Sequence, residues 1–569
     1  MDSGRDPKNF LKLIESPGSV ENYYLFRLEG EEKLSAPFEF RLTIRSKGDI
    51  PAASAWVGSS ITFVMGLSDD TPRMVNGQCI RFEHVYQKGG YVEFAVLISA
   101  SLSGTRLNRD NRIFTAKTAK QIVAQILSEH AIAFDDSKVT GVTTVREYCT
   151  QYGETDYDFI NRLMESEGVF YYFRYDENAG QYKHKMYMAD DPAGFFDGAP
   201  LQVSYRKGPH HPGLKDVATS YAASSGNWLT NDYDFKKPTN LTPTKTATRL
   251  GYAAKPAQQY HWPGGGYTPD DVRRQSKLAM EGLESGALLV QGTGRYVGFT
   301  PGARFEIDDP RLSPQERRIA VKSVSHQAFD PWGLEEGEPS YDQRFTAVPS
   351  DQTHRPDKVT PAATVRGPQT GVVTDQTDPE GFGRIQVRFH WDHAGMSTCW
   401  LRVAQQWAGG KIGSQFVPRI GMEVLVDYLE GDPDRPMVVA CLYNGDNKQP
   451  YDTPAHLSQA GWRTMSYPSG GVANEFIFED KAGAEEIYTF AGRNLRRVTV
   501  KDESVQIGQN STLAIVGDSS QDVQGTMKLH VKGALAISSD TSITLTVGAS
   551  TVSITGQEVA ITSPMIKLN

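Results

Sequence analysis

From residue 508 onward glycine returns on a regular beat: Gly508, Gly517, Gly525, Gly533, Gly548 and Gly556, in steps of 9, 8, 8, 15 and 8 residues. Eight is the underlying repeat, with one glycine missing near residue 541. A β-branched residue stands two places before most of these glycines: Ile515, Val523, Val531 and Ile554. Between glycines, apolar and polar residues alternate, as in Met527-Lys-Leu529-His-Val531 and Ile543-Thr-Leu545-Thr-Val547. Period-two alternation is a strand signal, and repetition at a fixed spacing marks a stacked, quasi-one-dimensional structure. Strands this short bury little alone. An octad makes one side of a prism rather than a full coil, so three chains wound together are needed to enclose an axis. Ile515, Val523, Leu529, Val531, Leu545, Val547 and Ile554 then point inward as the core, and Lys, Thr and Asp point out. Glycine at each corner is expected to supply a positive φ. At about 4.8 Å of climb per octad, residues 494–569 make a rod roughly 40–50 Å long. The plainer alternative is a β-meander with coincidental glycines.

The rest of the chain reads as several domains. Residues 1–350 alternate strand patterns with three helices. Thr118 caps TAKQIVAQILSEHAI, Thr155 caps the helix in GETDYDFINRLMESEG with Gly168 to end it, and Thr268 precedes a helix with Pro269 first and Asp270 and Asp271 in its first turn. Residues 351–365, within a Pro- and Thr-rich stretch, read as a linker. In residues 366–450, Ile385, Val387, Phe389 and Trp391 alternate with Arg384, Gln386, Arg388 and His390, predicting a half-buried strand. Several such strands in this length suit a small barrel of the oligonucleotide/oligosaccharide-binding (OB) type. Residues 451–493 form a neck. The fold class is therefore mostly β: a mixed α+β N-terminal part, a small barrel and a trimeric tail.

Composition excludes some functions. A net charge of −9 without a long basic run argues against nucleic acid as a partner. The four cysteines lie far apart, as expected of a protein made in a reducing compartment. The N-terminus lacks a secretory apolar core and no run could span a bilayer as a helix, so export, if it occurs, is expected to need no N-terminal signal.

Candidate sites are few. His390, His393 and Cys399 form an incomplete zinc set on a strand pattern, and are better read as barrel residues. EGDPDRP offers Glu430, Asp432 and Asp434, acids more simply explained as a turn between strands. WPGGG (262–266) and GTGRYVG (292–298) lack the context of phosphate loops. No catalytic residue, metal or cofactor is assigned.

Five segments carry a family resemblance: YGETDYDFINRLMESEGVFYYF (152–173), GRIQVRFHWD (383–392), CWLRVAQQWAG (399–409), FVPRIGMEVLVDYLEGDPDRP (416–436) and YNGDN (443–447). Occurring together in this order, they resemble the valine–glycine repeat (VgrG) spikes of type VI secretion. The resemblance implies the hub and needle of contractile phage tails: phage-hub-like barrels with helices, an OB-type barrel, and an intertwined triple-stranded β-helix in a homotrimer. It implies a hub on the hexameric Hcp tube within the baseplate, a PAAR-repeat cap at the tip, effector and adaptor proteins as cargo, and transient passage through target membranes. Assembly in the cytoplasm and signal-free secretion to the outside or into a target cell follow. Residues 448–493 are too few for the lysozyme domain of some phage homologues, and the chain is expected to be structural, not enzymatic. The alternatives are the hub of a phage-like injection particle and a β-helical glycan-acting enzyme. An interwound prism also needs a cover at its end. Pro564, Met565, Ile566, Lys567, Leu568 and Asn569 are expected to form the blunt platform on which the cap sits.

Overall fold

The strand Tyr23–Lys33 is the seam on which the N-terminal part is built. It pairs antiparallel with Glu39–Ser46 on one side and with Arg318–Phe329, almost three hundred residues away, on the other. A computed structural model describes residues 10–46, 48, 51–66, 72–88, 91–205, 213–238, 243–266, 268–331, 339–468 and 470–567. It divides into two units, Met1–Pro450 and Tyr451–Asn569.

In the first unit a 12-stranded sheet runs through that seam. The half built from residues 11–99 encloses Phe40, Phe63, Trp56 and Phe94. The half built from residues 196–349 encloses Val290, Phe299, Phe305 and Phe345. Burying aromatic side chains of this size supplies most of the drive to fold each half. At the seam Gly30 faces Phe40, and a Cβ there would lie 2.1 Å from the ring, so only glycine lets the strands close.

The three long helices form where their caps are written. Thr118 and Gln121 make a reciprocal capping box at the start of Ala119–Glu129. The Thr155 hydroxyl accepts from the Asp158 backbone N–H at the start of Asp156–Glu167, and Gly168 ends that helix at φ 70°. Thr268 and Asp271 box the start of Pro269–Ser285.

The small barrel follows, with sheet order Gln386–Phe389, Gln369–Asp375, Glu423–Tyr428, Pro436–Leu442. Ile385, Val387 and Phe389 are buried in its core with Val424, Val426 and Val438. Arg384, which alternation places on the wet face, is instead buried. Asp378 grips it at 2.8 and 3.0 Å and Glu380 at 2.8 Å, so the charge is paired before it is desolvated. The stretch read as a linker carries no strand or helix but is strapped down. Arg355 donates to the Gly168 and Asp190 carbonyls and to Glu281, and buried His354 meets Ser285.

The second unit opens with the meander Gln459–Met465, Ala473–Glu479, Glu486–Ala491. The chain then runs extended, without ladder partners of its own. It bends at 492–493, 500–501, 508–509, 516–517, 524–525, 532–533 and 540–541, one bend every eight residues. The beat therefore continues through Asp540–Thr541, where the glycine is missing. The expected corner conformation occurs at one glycine of the six: only Gly548 has a left-handed φ, 54°. A Cβ at any of the six would meet nothing within 4 Å in its own chain, so apart from Gly548, whose φ favours glycine, nothing inside one chain calls for glycine there. From Ser542 the chain closes on itself as a second meander, Ser542–Val547, Ser550–Thr555, Val559–Thr562.

Candidate functional site

The tail's side chains have no interior in one chain. Ile515, Val523, Leu529, Val531, Leu545, Val547 and Ile554 are all exposed; Val531 keeps 42% of its surface and Val547 82%. Extended octads with no ladder and no cover cannot hold their shape by the hydrophobic effect alone. The last meander shows what is missing. Its register sets Ile543 against Ile554, Leu545 against Val552, and Val552 against Ile561. Cross-strand partners share a face, so one face is aliphatic and the other carries Thr544, Thr546, Thr551, Ser553 and Thr562. A sheet with one dry face and nothing upon it is one wall of a larger core.

At the end of that sheet the Ser563 hydroxyl donates to the Met565 carbonyl at 3.0 Å and meets Ser550 Oγ at 2.9 Å. Pro564, Met565, Ile566 and Lys567 are exposed, and Val559–Thr562 is an edge strand. Leu568 and Asn569 lie outside the described residues.

The turn EGDPDRP holds more than a change of direction. Asp434, half-buried, accepts the Thr150 backbone N–H at 2.6 Å, and the Thr150 hydroxyl donates to the Pro433 carbonyl at 3.4 Å. Arg162 reaches the Thr150 carbonyl at 3.1 Å and Glu154 at 2.8 Å. Burial pushes the Asp434 carboxyl up to about 6, with Asp432 adding repulsion and Arg162 and Arg146 opposing it. Burial likewise holds Glu154 at about 6, against the pull of Arg162. Next to it Arg435 makes a two-pronged pair with buried Asp232, at 2.9 and 2.6 Å. Asp232 also accepts the Gly266 N–H at 3.1 Å, which ties the WPGGG loop into the same joint. Phe235 stands edge-on to Phe382, and Lys236 pairs with Glu380 at 2.7 Å. The barrel is thus latched to the N-terminal part by charge-assisted bonds at several points. Sequence reasoning missed this, because the turn's local pattern is satisfied without its distant partners.

The other sequence candidates scatter. His393 meets Asp110 at 3.0 Å, His390 is exposed in the turn that follows the strand Gln386–Phe389, and the Cys399 thiol is pushed up by burial. Trp391 donates to Gln369 and stands edge-on to Tyr152. Among the described residues no group of His, Cys, Asp and Glu is arranged to hold a metal ion. Among the described residues no helix is long and apolar enough to cross a membrane.

Comparison with known proteins gives three family matches in chain order. Residues 31–332 match the phage tail baseplate hub (GPD), residues 369–443 the type VI secretion system/phage-baseplate injector OB domain, and residues 460–563 the bacteriophage T4 gp5 C-terminal trimerisation domain. The chain is 30% identical over 539 residues to the type VI secretion system spike protein VgrG1c of Pseudomonas aeruginosa, covering 90% of this chain and 73% of that protein. It is 29% identical over 528 residues to VgrG1b of the same organism, covering 89% and 70%. Among solved structures, the E. coli c3393 protein, described as a component of the type VI secretion system similar to T4 tail proteins gp27 and gp5, shares the fold. Its TM-score is 0.54 at 19% identity, covering 76% of this chain and 99% of that one.

Proposed function

Because the chain belongs to the VgrG family of type VI secretion spikes, built as a baseplate hub, an OB barrel and a trimerisation domain, we propose that it is the puncturing tip of that machine. Its role is structural, and three copies make the working unit. The observation that carries the reading is the tail: seven bends at eight-residue spacing, then a sheet with one dry face, all uncovered in a single chain. Two further copies supply the cover.

On this reading residues 1–350 sit on the Hcp hexamer at the baseplate, residues 351–365 connect them to the OB barrel at 366–450, and the neck at 451–493 leads into the needle at 494–569. Supporting a stiff joint between hub and barrel is the latch at Asp434 and Arg435, which would pass load from tube to needle. The exposed residues Pro564, Met565, Ile566 and Lys567, beside an edge strand, support docking of a PAAR-repeat protein by strand addition and apolar cover. Leu568 and Asn569 complete that platform. Effectors and their adaptors are cargo, the target membrane is crossed only in transit, and export needs no signal peptide. No residue is assigned to catalysis.

Light scattering on the purified chain tests the core of this reading. Three times the single-chain mass, and co-sedimentation with Hcp hexamers, are expected; a monomer at micromolar concentration overturns it.

A further inference from the structure

We propose that the OB barrel carries its own homotypic interface, a collar formed by Trp407, Ile412, Phe416, Ile420, Leu442 and Tyr443, which meets the same barrel of the neighbouring copy before the trimerisation domain begins. The inference rests on the trimer described above.

These residues lie together at the end of the barrel where the chain leaves it. Val403 bridges Val438 in parallel, and the Ala404 N–H donates to the Val438 carbonyl at 2.8 Å, so the chain leading to Trp407 starts alongside the strand that ends at Leu442. The hairpin that follows is held by the Ser414 N–H on the Trp407 carbonyl at 2.9 Å. Gln405 clasps the Phe416 backbone at both its N–H and its carbonyl, at 3.0 and 3.1 Å. On the other side the outgoing chain is hooked back, since Asn447 donates to the Gly421 carbonyl at 3.1 Å, next to Ile420. The exit strand is thereby flanked by apolar side chains on both sides.

None of them is covered within the chain. Trp407, Ile412, Phe416, Ile420 and Tyr443 keep between 57% and 67% of their surface. Residues 405–422 contain no carboxylate. Exposed apolar side chains gathered at one end of a barrel, with Trp, Phe and Tyr among them, mark an interface rather than ordinary surface. The occupant follows from the chain itself. The match to the trimerisation domain opens at residue 460, shortly after Tyr443. Three barrels tethered to one shared tail are held at millimolar effective concentration of each other. The residues at the chain's exit are close in sequence to the shared segment, and a cyclic assembly offers each of them the neighbouring copy. Dry faces at that concentration close on one another before any free partner competes.

The test uses the full chain. Amide exchange across 405–422 is followed in the assembled protein and again after dilution below its dissociation concentration. Slower exchange on assembly, by ten-fold or more, is expected. In parallel, Trp407→Asp and Phe416→Asp should raise the dissociation concentration at least ten-fold, while Trp407→Phe should leave it within two-fold. Exchange at 405–422 that does not change with assembly overturns the collar, whatever the variants do. A wild-type chain that never exceeds single-chain mass overturns the trimer itself, which is a different failure.

Discussion

Val531→Asp places one carboxylate on each of three chains around the tail's axis. Val531 keeps 42% of its surface in the single chain, so roughly two-fifths of the side chain waits for cover from its neighbours. At roughly 2 kcal/mol for full burial of a valine, the lost apolar cover is about 1 kcal/mol per chain and about 3 kcal/mol per trimer. Three aspartates about 10 Å apart, the spacing of packed sheet faces, repel by about 1.7 kcal/mol per pair at an effective dielectric near 20. Three pairs bring the total to about 8 kcal/mol before desolvation, most of the stability of an ordinary domain. The tail should open between the bends that flank the substitution, at 524–525 and 532–533. Limited proteolysis and amide exchange over residues 494–541 read this directly, even where the barrels remain together. Lys528→Asp, of opposite parity on the same extended segment, should change neither by more than two-fold. The variant carries a signature of its cause. A carboxyl crowded by its copies has a raised pKa, so the variant's stability falls as pH rises through that value, and acidification toward pH 4 should restore part of the protection. A Val531→Asp tail as resistant as the wild type at pH 7 would refute the inward register.

The hub–barrel latch makes a second prediction. Folded Asp434 and Glu154 hold their protons to about pH 6, above their ordinary values of 3.8 and 4.5, so the folded state binds more protons than the unfolded one between about pH 4 and 6. Stability from these groups is therefore greatest below pH 4 and declines as pH rises to 6. Asp434→Asn keeps an acceptor for the Thr150 N–H and should flatten that part of the thermal-unfolding profile, whereas Asp434→Ala orphans the N–H and should cost about 1–3 kcal/mol at every pH. Deleting residues 564–569 should leave the native mass at three chains yet abolish capture of a PAAR-repeat protein in a pull-down; unchanged capture would move the platform elsewhere. A chain ending at residue 450 should still co-sediment with Hcp hexamers, because tube binding is assigned to residues 1–350, and loss of binding would reverse that division.

What the sequence determined about this protein by itself was everything whose cause lies within a few residues. The caps at Thr118, Thr155 and Thr268 bond three residues downstream, and the eight-residue beat is written in the order of glycines and aliphatics. It persists at Asp540–Thr541, where no glycine stands. The family was legible for the same reason, since its motifs are contiguous. The tertiary structure decided the rest. Tyr23–Lys33 joins Arg318–Phe329 across the sheet, and Asp434 finds Thr150 from 284 positions away. Arg384 goes inside because Asp378 and Glu380 turn back to meet it, against its own alternation. Stretches that read locally as a turn and a linker became the latch and the strap. A single chain's local pattern limits which faces are dry and which backbone groups are satisfied nearby. Which distant partner covers a dry face, or neutralises a buried charge, is settled only when the whole chain competes for the same space.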